Sequence, residues 1–436
     1  MARGYISRTR RLSHPEQTRK ATRARIAFVM FLPMSAVLSS TGRAAARRRP
    51  AGTGTIVEVL REAASLRALV PDWEALAAEA AEPNPFYEHW MLLPALEAYG
   101  AGEDFRCIAV WENGTLGALF PMRLERRYRG LPLRALRSWR HRNMLLCTPL
   151  ISAKGGAKGA ARCIAALLQS GLAPVIEFDW VPAGGLFYGA LAEAASAGGF
   201  PWMVTGAYAR ALLLRDRDPR ERFNSNMKNN LRRYEARLGA HGKPSPVRLA
   251  PGDDLGAWTQ EFMRLEASGW KGRAGSALAC REDDRRFVAE VFAEAFRRGR
   301  LQITGLDLDG RALARHIMLT AGEGAFTFKI AYDEAYANGS PGLLAEVDNV
   351  RQFMQTPGLR WIDSNTAPEN ESYGRVWKDR RTMQRIAIGL RGAGRLAVAA
   401  LPLMRLAKWA VWTSARRSKN GPAVCTLRAR TPRRAG

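Results

Sequence analysis

The stretch Ile303-Thr-Gly-Leu-Asp-Leu-Asp-Gly310-Arg-Ala-Leu-Ala-Arg-His316-Ile-Met318 reads as two strands folded back on each other at Asp309-Gly310. A two-residue hairpin turn needs positive φ at both central positions, and Asn or Asp followed by Gly adopts it with least strain. The same pattern stands earlier in the chain. Ile108-Ala-Val-Trp-Glu-Asn-Gly114-Thr-Leu-Gly-Ala-Leu-Phe120-Pro-Met122 turns at Asn113-Gly114, 196 residues before the second turn. A further correspondence follows each hairpin. Val175-Ile-Glu-Phe-Asp179-Trp ends a strand and leads through Pro182 and Gly184-Gly185 into a helix with Tyr188-Gly189. Leu359-Arg-Trp-Ile-Asp363-Ser ends a strand and leads through Pro368 into a helix with Tyr373-Gly374, at an offset of 184–185 residues. Two matched landmarks in one order imply two copies of one unit. The expected fold is α/β, a mixed α+β sheet in two similar halves spanning 55–215 and 216–390.

Around the second hairpin the elements are legible. A turn at Gly322-Glu323-Gly324 precedes the aromatic-rich strand Ala325-Phe-Thr-Phe-Lys-Ile-Ala-Tyr332, a composition typical of strands. After a loop, Ser340-Pro341-Gly342 opens a helix running to Gln355, with Ser read as N-cap and Pro as first helical residue. Residues 224–237 predict a basic helix, 239–252 a Pro- and Gly-rich loop, and 258–266 and 286–298 amphipathic helices.

The chain has 436 residues, 47% of them hydrophobic, with 67 Lys+Arg against 40 Asp+Glu, a formal charge of +27. This composition excludes a disordered, collagen-like or disulfide-framework protein. The charge is unevenly placed. Residues 1–50 carry +11, residues 388–436 carry +11, and the body 51–387 carries +5. The total is therefore no argument for a nucleic-acid partner, which needs a basic face on a folded domain. Five cysteines without a C-x-x-C pair indicate neither disulfides nor a metal site. There is no G-x-x-x-x-G-K-[ST], no strand–G-x-G-x-x-G–helix unit and no H-E-x-x-H. The apolar run at 26–38 (IAFVMFLPMSAVL) is too short to span a bilayer, which takes about 20 residues. It reads as a signal, a membrane-surface tail or an extension outside the folded protein; the extension, basic and disordered over 1–50, is the expectation taken. Residues 391–436 form a basic amphipathic tail, with Arg405, Lys408, Trp409 and Trp412 on helical spacing, suited to an anionic membrane surface or to packing on the body.

The residues that can do chemistry gather in the second half. A helix start exposes unpaired N–H groups and a partial positive charge, so Asn338, Gly339, Ser340, Pro341, Gly342 and Leu343 are a candidate pyrophosphate cradle. A plain strand-to-helix turn is the alternative. His316 is a candidate base, because histidine is the side chain suited to exchanging protons at physiological pH. Asp363 ends a strand, where α/β sites gather, as base, orienter or helix cap. Lys228, Arg232 and Arg233 on the basic helix, with Lys378, are candidates for a phosphorylated substrate, against a merely solvated face.

The run Lys329-Ile-Ala-Tyr-Asp-Glu-Ala-Tyr-Ala-Asn-Gly-Ser-Pro-Gly-Leu-Leu344 resembles the signature of the CelD-type, cellulose-biosynthesis-related branch of the GNAT acetyltransferases. Lys228-Asn-Asn-Leu-Arg-Arg-Tyr-Glu, Trp270-Lys-Gly-Arg, Trp361-Ile-Asp363, Tyr373 and Trp377-Lys378 resemble that branch as well. The branch is related to the FemAB-type aminoacyltransferases, which are tandem GNAT folds. The resemblance implies acyl transfer from acetyl-CoA or another acyl-CoA to an amine or hydroxyl, without a metal. It implies that the pyrophosphate sits at the helix beginning at Ser340 and that Tyr373 protonates the leaving thiolate. Its associations point to a small-molecule or saccharide acceptor among envelope or polysaccharide precursors. Location is expected in the cytoplasm, with peripheral membrane contact through the tails and no specific nucleic acid. The loop Ala337-Asn-Gly-Ser-Pro-Gly departs from the common Gln/Arg-x-x-Gly-x-Gly/Ala pattern, which keeps an aminoacyl-tRNA donor open. A non-catalytic scaffold at the membrane is the reading from another class.

Overall fold

Asn113 and Gly114 have φ of 50° and 76°, and Asp309 and Gly310 of 48° and 81°, so both expected turns form with both central residues left-handed. The computed structural model describes residues 54–216, 224–367, 372–404 and 406. The extension 1–50, most of the tail 391–436, and Pro368 lie outside the described residues.

In the first half β1 (Thr55–Leu60), α1 (Ala63–Ala68), α2 (Val70–Ala78) and α3 (His89–Tyr99) lead into the hairpin β2 (Phe105–Glu112) and β3 (Thr115–Glu125). Then come β4 (Ala135–Ser138), β5 (Leu150–Ile151), α4 (Gly156–Gln169), β6 (Val175–Pro182), α5 (Leu186–Ala197) and β7 (Trp202–Leu214). The second half begins with α6 (Ser225–Gly239), whose start is capped by the Asn224 side chain accepting from Met227 N at 2.9 Å. β8 (Pro244–Arg248), α7 (Leu255–Ser268), α8 (Trp270–Arg273) and α9 (Glu282–Arg297) follow. The hairpin β9 (Leu301–Leu308) and β10 (Arg311–Ala321) leads to β11 (Gly324–Tyr332), α10 (Pro341–Gln355), β12 (Trp361–Asp363), β13 (Asp379–Gly389) and α11 (Ala393–Ala399).

One sheet joins all of this in the order β1-β2-β3-β4-β6-β13-β7-β12-β11-β10-β9-β8, with β5 beside β3. The order is a palindrome of the two halves: β1 answers to β8, the β2–β3 hairpin to β9–β10, β4 to β11 and β6 to β12. The two parallel contacts, β4 with β6 and β11 with β12, are counterparts. The last strand of each half is exchanged. β7 pairs with β12 of the second half, β13 pairs with β6 of the first, and the two lie side by side at the centre. The duplication expected from the sequence is thus present as strand order, and the fold is mixed α/β in two similar halves.

Alternation along the strands divides the core. Cys107, Ala109 and Trp111 of β2 and Ile317 and Leu319 of β10 face one shared layer with Trp73, Phe86, Trp90, Phe262, Phe287 and Phe292. The opposite faces form separate layers, Phe120, Ile164, Phe178 and Phe187 in the first half and Leu313, Val350, Phe353 and Trp377 in the second. Period-2 patterning of this kind is what a sheet covered on both sides requires.

Three expectations are corrected. The supposed loop at 239–252 contains β8, whose Pro244 and Pro246 are tolerated because it is an edge strand. Tyr373-Gly374 lies in one 3-10 turn, Ser372–Arg375, and not in a helix matching α5. The connection is rich in Asn, Ser, Thr and Gly, poor helix formers. Ser340 is no ordinary N-cap: its φ is 46°, and its side chain makes no capping bond.

The exchanged strands carry a reciprocal pair of ion clusters. Arg210 on β7 reaches Asp363 on β12, Nε to Oδ1 at 2.6 Å and Nη2 to Oδ2 at 2.9 Å, both side chains fully buried. Arg381 adds a bond to Oδ2 at 2.9 Å. Arg385 on β13 reaches Asp179 on β6, which Arg137 also holds in two bonds of 2.8 and 3.0 Å. Arg210 stands opposite Arg381 and Gly206 opposite Arg385, so Arg210 and Arg385 are counterparts under the palindrome. Burial pushes the Asp363 carboxyl up, but the charges of Arg210 and Arg381 outweigh it and hold it below the usual range. Replacing Asp363→Ala strands a buried guanidinium and should cost roughly 3–5 kcal/mol. Guanidinium denaturation measures this, and a loss below about 1 kcal/mol would contradict the assignment. The double replacement Asp363→Leu with Arg210→Met should be milder than the sum of its singles.

Candidate active site

β11 and β12 are paired over only three residues, Gly324–Phe326 against Trp361–Asp363. Beyond Asp363 the chain leaves toward β7, with Ser364 N donating to Ala211 O at 3.1 Å. β11 continues to Tyr332, so from Thr327 on its edge has no described strand beside it. The opening is a wedge. A register shift at Ile317/Met318, opposite Phe328, turns the side chains of β11 at the same level.

On the α10 side of the wedge, β10, α10 and the turn at Tyr373 converge. His316 is fully buried, and its Nδ1 lies 2.9 Å from Glu346 Oε2, at an angle outside a linear hydrogen bond. Its Nε2 is 3.3 Å from Thr327 Oγ1 and 3.4 Å from the Tyr373 hydroxyl. Trp377 Nε1 donates to Glu346 Oε1 at 2.7 Å, and the Tyr373 and Trp377 rings are 4.7 Å apart. Burial, then the Glu346 charge, push the Tyr373 phenol well above its ordinary range. The structure therefore unites His316 and Tyr373 and adds Glu346 and Thr327. Glu346 was detectable as an acid inside the apolar run Leu343-Leu-Ala-Glu-Val347. His316, the candidate base, has no exposed surface, and the groups around its ring nitrogens are Glu346, Thr327 and Tyr373. Asp363 is corrected as a free base, since arginines occupy both its oxygens.

At the end of β11 the candidate cradle has a narrower set of amides than a glycine-rich loop. Pro341 has no N–H, and Leu343 N and Leu344 N both donate to Ser340 O. Gly339 is required by packing, because a Cβ there would stand 2.3 Å from Leu238 Cδ2 on α6. Gly342 lies over the Tyr332 ring, 3.3 Å from where its Cβ would be. The basic helix does come to this turn: Arg237, not singled out from sequence, donates from Nη1 to Asn338 O at 2.9 Å. Lys228, Arg232 and Arg233 are exposed on the same helix, and Lys378 is exposed just before β13.

The opposite face of β11 carries a second polar cluster, which sequence reasoning missed. Glu266 is buried, bonds Lys271 Nζ at 2.8 Å and accepts from Leu278 N at 2.8 Å. Lys271 also reaches Ile330 O on β11 at 3.4 Å. Lys329 is half-buried, and its side-chain amine makes no hydrogen bond or ion pair among the described residues. Burial, then the neighbouring Lys271 charge, draw its ammonium down to about 8. From the first half, the Tyr99 hydroxyl donates to Asp284 Oδ1 at 2.6 Å, and Arg142 Nε donates to the same oxygen at 3.2 Å. His141 stacks on Tyr99 at 4.6 Å, with both ring nitrogens buried and without a partner. A cavity of about 380 Å³ opens here, lined by Tyr99, Glu103, Arg140, His141, Arg142 and Arg281 among others. Among the described residues no group of three or more His, Cys, Asp or Glu is placed to hold a metal ion. Among them, too, no helix is long and apolar enough to cross a membrane.

Residues 225–375 match the acetyltransferase (GNAT) domain family, a stretch that contains α6, the wedge, α10 and Tyr373. The match lies in the second half of the chain, and the palindromic sheet repeats the strand order of that half in the first. No curated protein matches the chain. Among solved structures, FemX is similar at 10% identity over 77% of this chain and 98% of its own, with a TM-score of 0.49. L-PGS from Bacillus licheniformis is similar at 13% identity over 76% and 95%, with a TM-score of 0.46. A tandem GNAT protein from the clavulanic acid biosynthesis pathway is similar at 15% identity over 77% and 99%, with a TM-score of 0.39.

His141 gives the region a pH signature. Burial, then the charges of Arg142, Lys329 and Arg140, pull it from 6.5 to about 3. The unfolded chain takes up this proton near 6.5 and the folded chain only near 3, so acidification between those values favours unfolding. The slope from this group approaches about 1.4 kcal/mol per pH unit. Urea denaturation from pH 7 to 4 should show it, and His141→Phe should flatten it. An equal slope in the variant would refute the assignment.

Proposed function

We propose that the protein is an acyltransferase that moves an acyl group from acyl-CoA, with acetyl-CoA as the representative donor, to an amine or hydroxyl. The observation that carries the reading is the unpaired edge of β11 beside the Tyr373–His316–Glu346 array, inside the segment matching the GNAT domain. An extended donor chain fits a strand edge, because main-chain amides and carbonyls pair with it as a further strand would. The phosphates then fall at the start of α10, where the helix dipole and the basic α6 favour negative charge.

The chemistry needs a proton for the departing sulfur. Tyr373 is held protonated through the neutral range, so it has one to give as the C–S bond breaks. His316, 3.4 Å behind it, can return a proton, and Glu346 fixes the imidazole as a carboxylate does in other acid–base arrays. Asp363 is read as a holder of the sheet. Following the resemblance in sequence, the acceptor is taken to be an envelope or polysaccharide precursor in the cytoplasm. Peripheral membrane contact is supported by Leu396, Leu403, Met404 and Leu406, which stand exposed on the C-terminal segment that leads into the basic tail.

A second reading, with aminoacyl-tRNA as donor, is favoured by one observation. The turn at Ser340 offers few free amides, while the exposed α6 presents Lys228, Arg232, Arg233 and Arg237. Acetyl-CoA should raise the melting temperature of the full chain by several degrees; no shift with acetyl-CoA and a shift with charged tRNA would select the second reading. Tyr373→Phe should lower thiol release from acetyl-CoA about 100-fold while leaving acetyl-CoA binding intact. An unchanged rate would remove Tyr373 from the mechanism. Leu396→Asp with Leu403→Asp should weaken sedimentation with anionic vesicles, and equal sedimentation would remove the membrane contact.

A further inference from the structure

The wedge has two faces, and the Tyr373 array lies on only one of them. Lys329 is on β11 beyond the last residue paired with β12, on the face covered by α7 and α9. A lysine there with no ion pair is unusual, since an isolated desolvated ammonium is costly. Its neighbour Lys271 is the contrast, bound to Glu266 and to Ile330 O. The charged and titratable groups around Lys329 are known from every side: Lys271 and Glu266 from α7 and α8, Asp284 from α9, Arg142 and His141 from the first half. Glu266 is committed to Lys271 and to Leu278 N, and Asp284 to Tyr99, Arg142 and Asn143. None of these carboxylates makes a bond to Lys329. The amine is thereby left both free and poor in compensating charge.

We propose that Lys329 is the base that takes the acceptor's proton, and that the acceptor enters on the face opposite Tyr373, between Trp270–Arg273 and residues 140–143 of the first half. The inference rests on the thioester donor lying in the wedge. As the acceptor nitrogen or oxygen bonds the acyl carbon, its proton passes to Lys329 Nζ. The C–S bond breaks, its electron pair goes to sulfur, and Tyr373 supplies the proton that makes the free thiol. Lys329 then releases its proton to water, and Tyr373 recovers one through His316. A neutral amine at pH 7 is about a tenth of the population for a group that titrates at about 8, ample for a general base. The class of acceptor that fits is a primary amine or hydroxyl carried on a group small enough to pass between the two halves.

The test has two measurements on the full chain. Trace acetic anhydride labelling across pH, read by mass spectrometry, should give Lys329 a midpoint near 8, and acetyl-CoA should shield Lys329. Thiol release from acetyl-CoA, with water as the acceptor, should rise with pH through about 8 in the native protein. Lys329→Ala should lose that rising limb and about 100-fold in rate at pH 8.5. Lys329→Arg, which cannot be neutral, should do the same. Both should keep the thermal shift with acetyl-CoA. A rising limb retained in both variants, or a labelling midpoint above 10, overturns the proposal alone. Absence of acetyl-CoA binding by the native protein overturns the donor reading and this proposal with it.

Discussion

Arg210 and Arg385 each cross from one half of the chain to an aspartate at the strand end of the other. Asp363 and Asp179 are buried, and burying a carboxylate without a partner would cost several kcal/mol. Arg137 and Arg381 meet part of that charge from within each half, and Arg385 and Arg210 complete it from the other. The exchange of β7 and β13 is thereby tied by charge as well as by backbone pairing. It makes one continuous sheet where two separate sheets would otherwise have stood edge to edge.

The wedge is a by-product of the same exchange. Asp363 is drawn toward β7 by Arg210 and Arg381, and the chain after it pairs with Ala211. β12 is thus short and committed to the central strands, and β11 is left with a bare edge. A site built this way is held by the fold, since what opens it is the strongest local electrostatic contact. The first half also supplies a wall, because residues 140–143 reach Asp284 across the shared core. A single half would leave the α7/α9 face of β11 open to water, and a low-dielectric surround is what lets a lysine lose its charge.

Part of this was legible in the residues. The two hairpins were fixed by Asn-Gly and Asp-Gly, whose backbone preferences are local. The duplication followed from their order. Strand exchange was not legible, because pairing of β6 with β13 is a relation between segments about 200 residues apart, and either strand pattern fits either neighbour. His316 and Tyr373 could be named from type and place, but not the burial of His316, which depends on how α10 lies over β10. Glu346 and Lys329 stand out as single charged residues within an apolar or aromatic run, but their roles were not legible, because their neighbours are set by tertiary contact. Ser340 misled because Ser-Pro is a good helix start on average, and the left-handed backbone at 340 answers to the packing of Gly339 on Leu238.

The palindrome also orders events in time. When the first half leaves the ribosome, β6 has its parallel neighbour β4 but not β13, which is synthesised about 200 residues later. A strand that ends up inside the finished sheet, next to the central pair, thus begins as an exposed, apolar edge, with Val175, Ile176 and Phe178 along it. Such edges pair readily with other chains. Pairings of high sequence separation close slowly. Synthesis of this protein must therefore pass through a half-made sheet, and its yield in a cell should depend more on what guards that edge than on the stability of the completed fold.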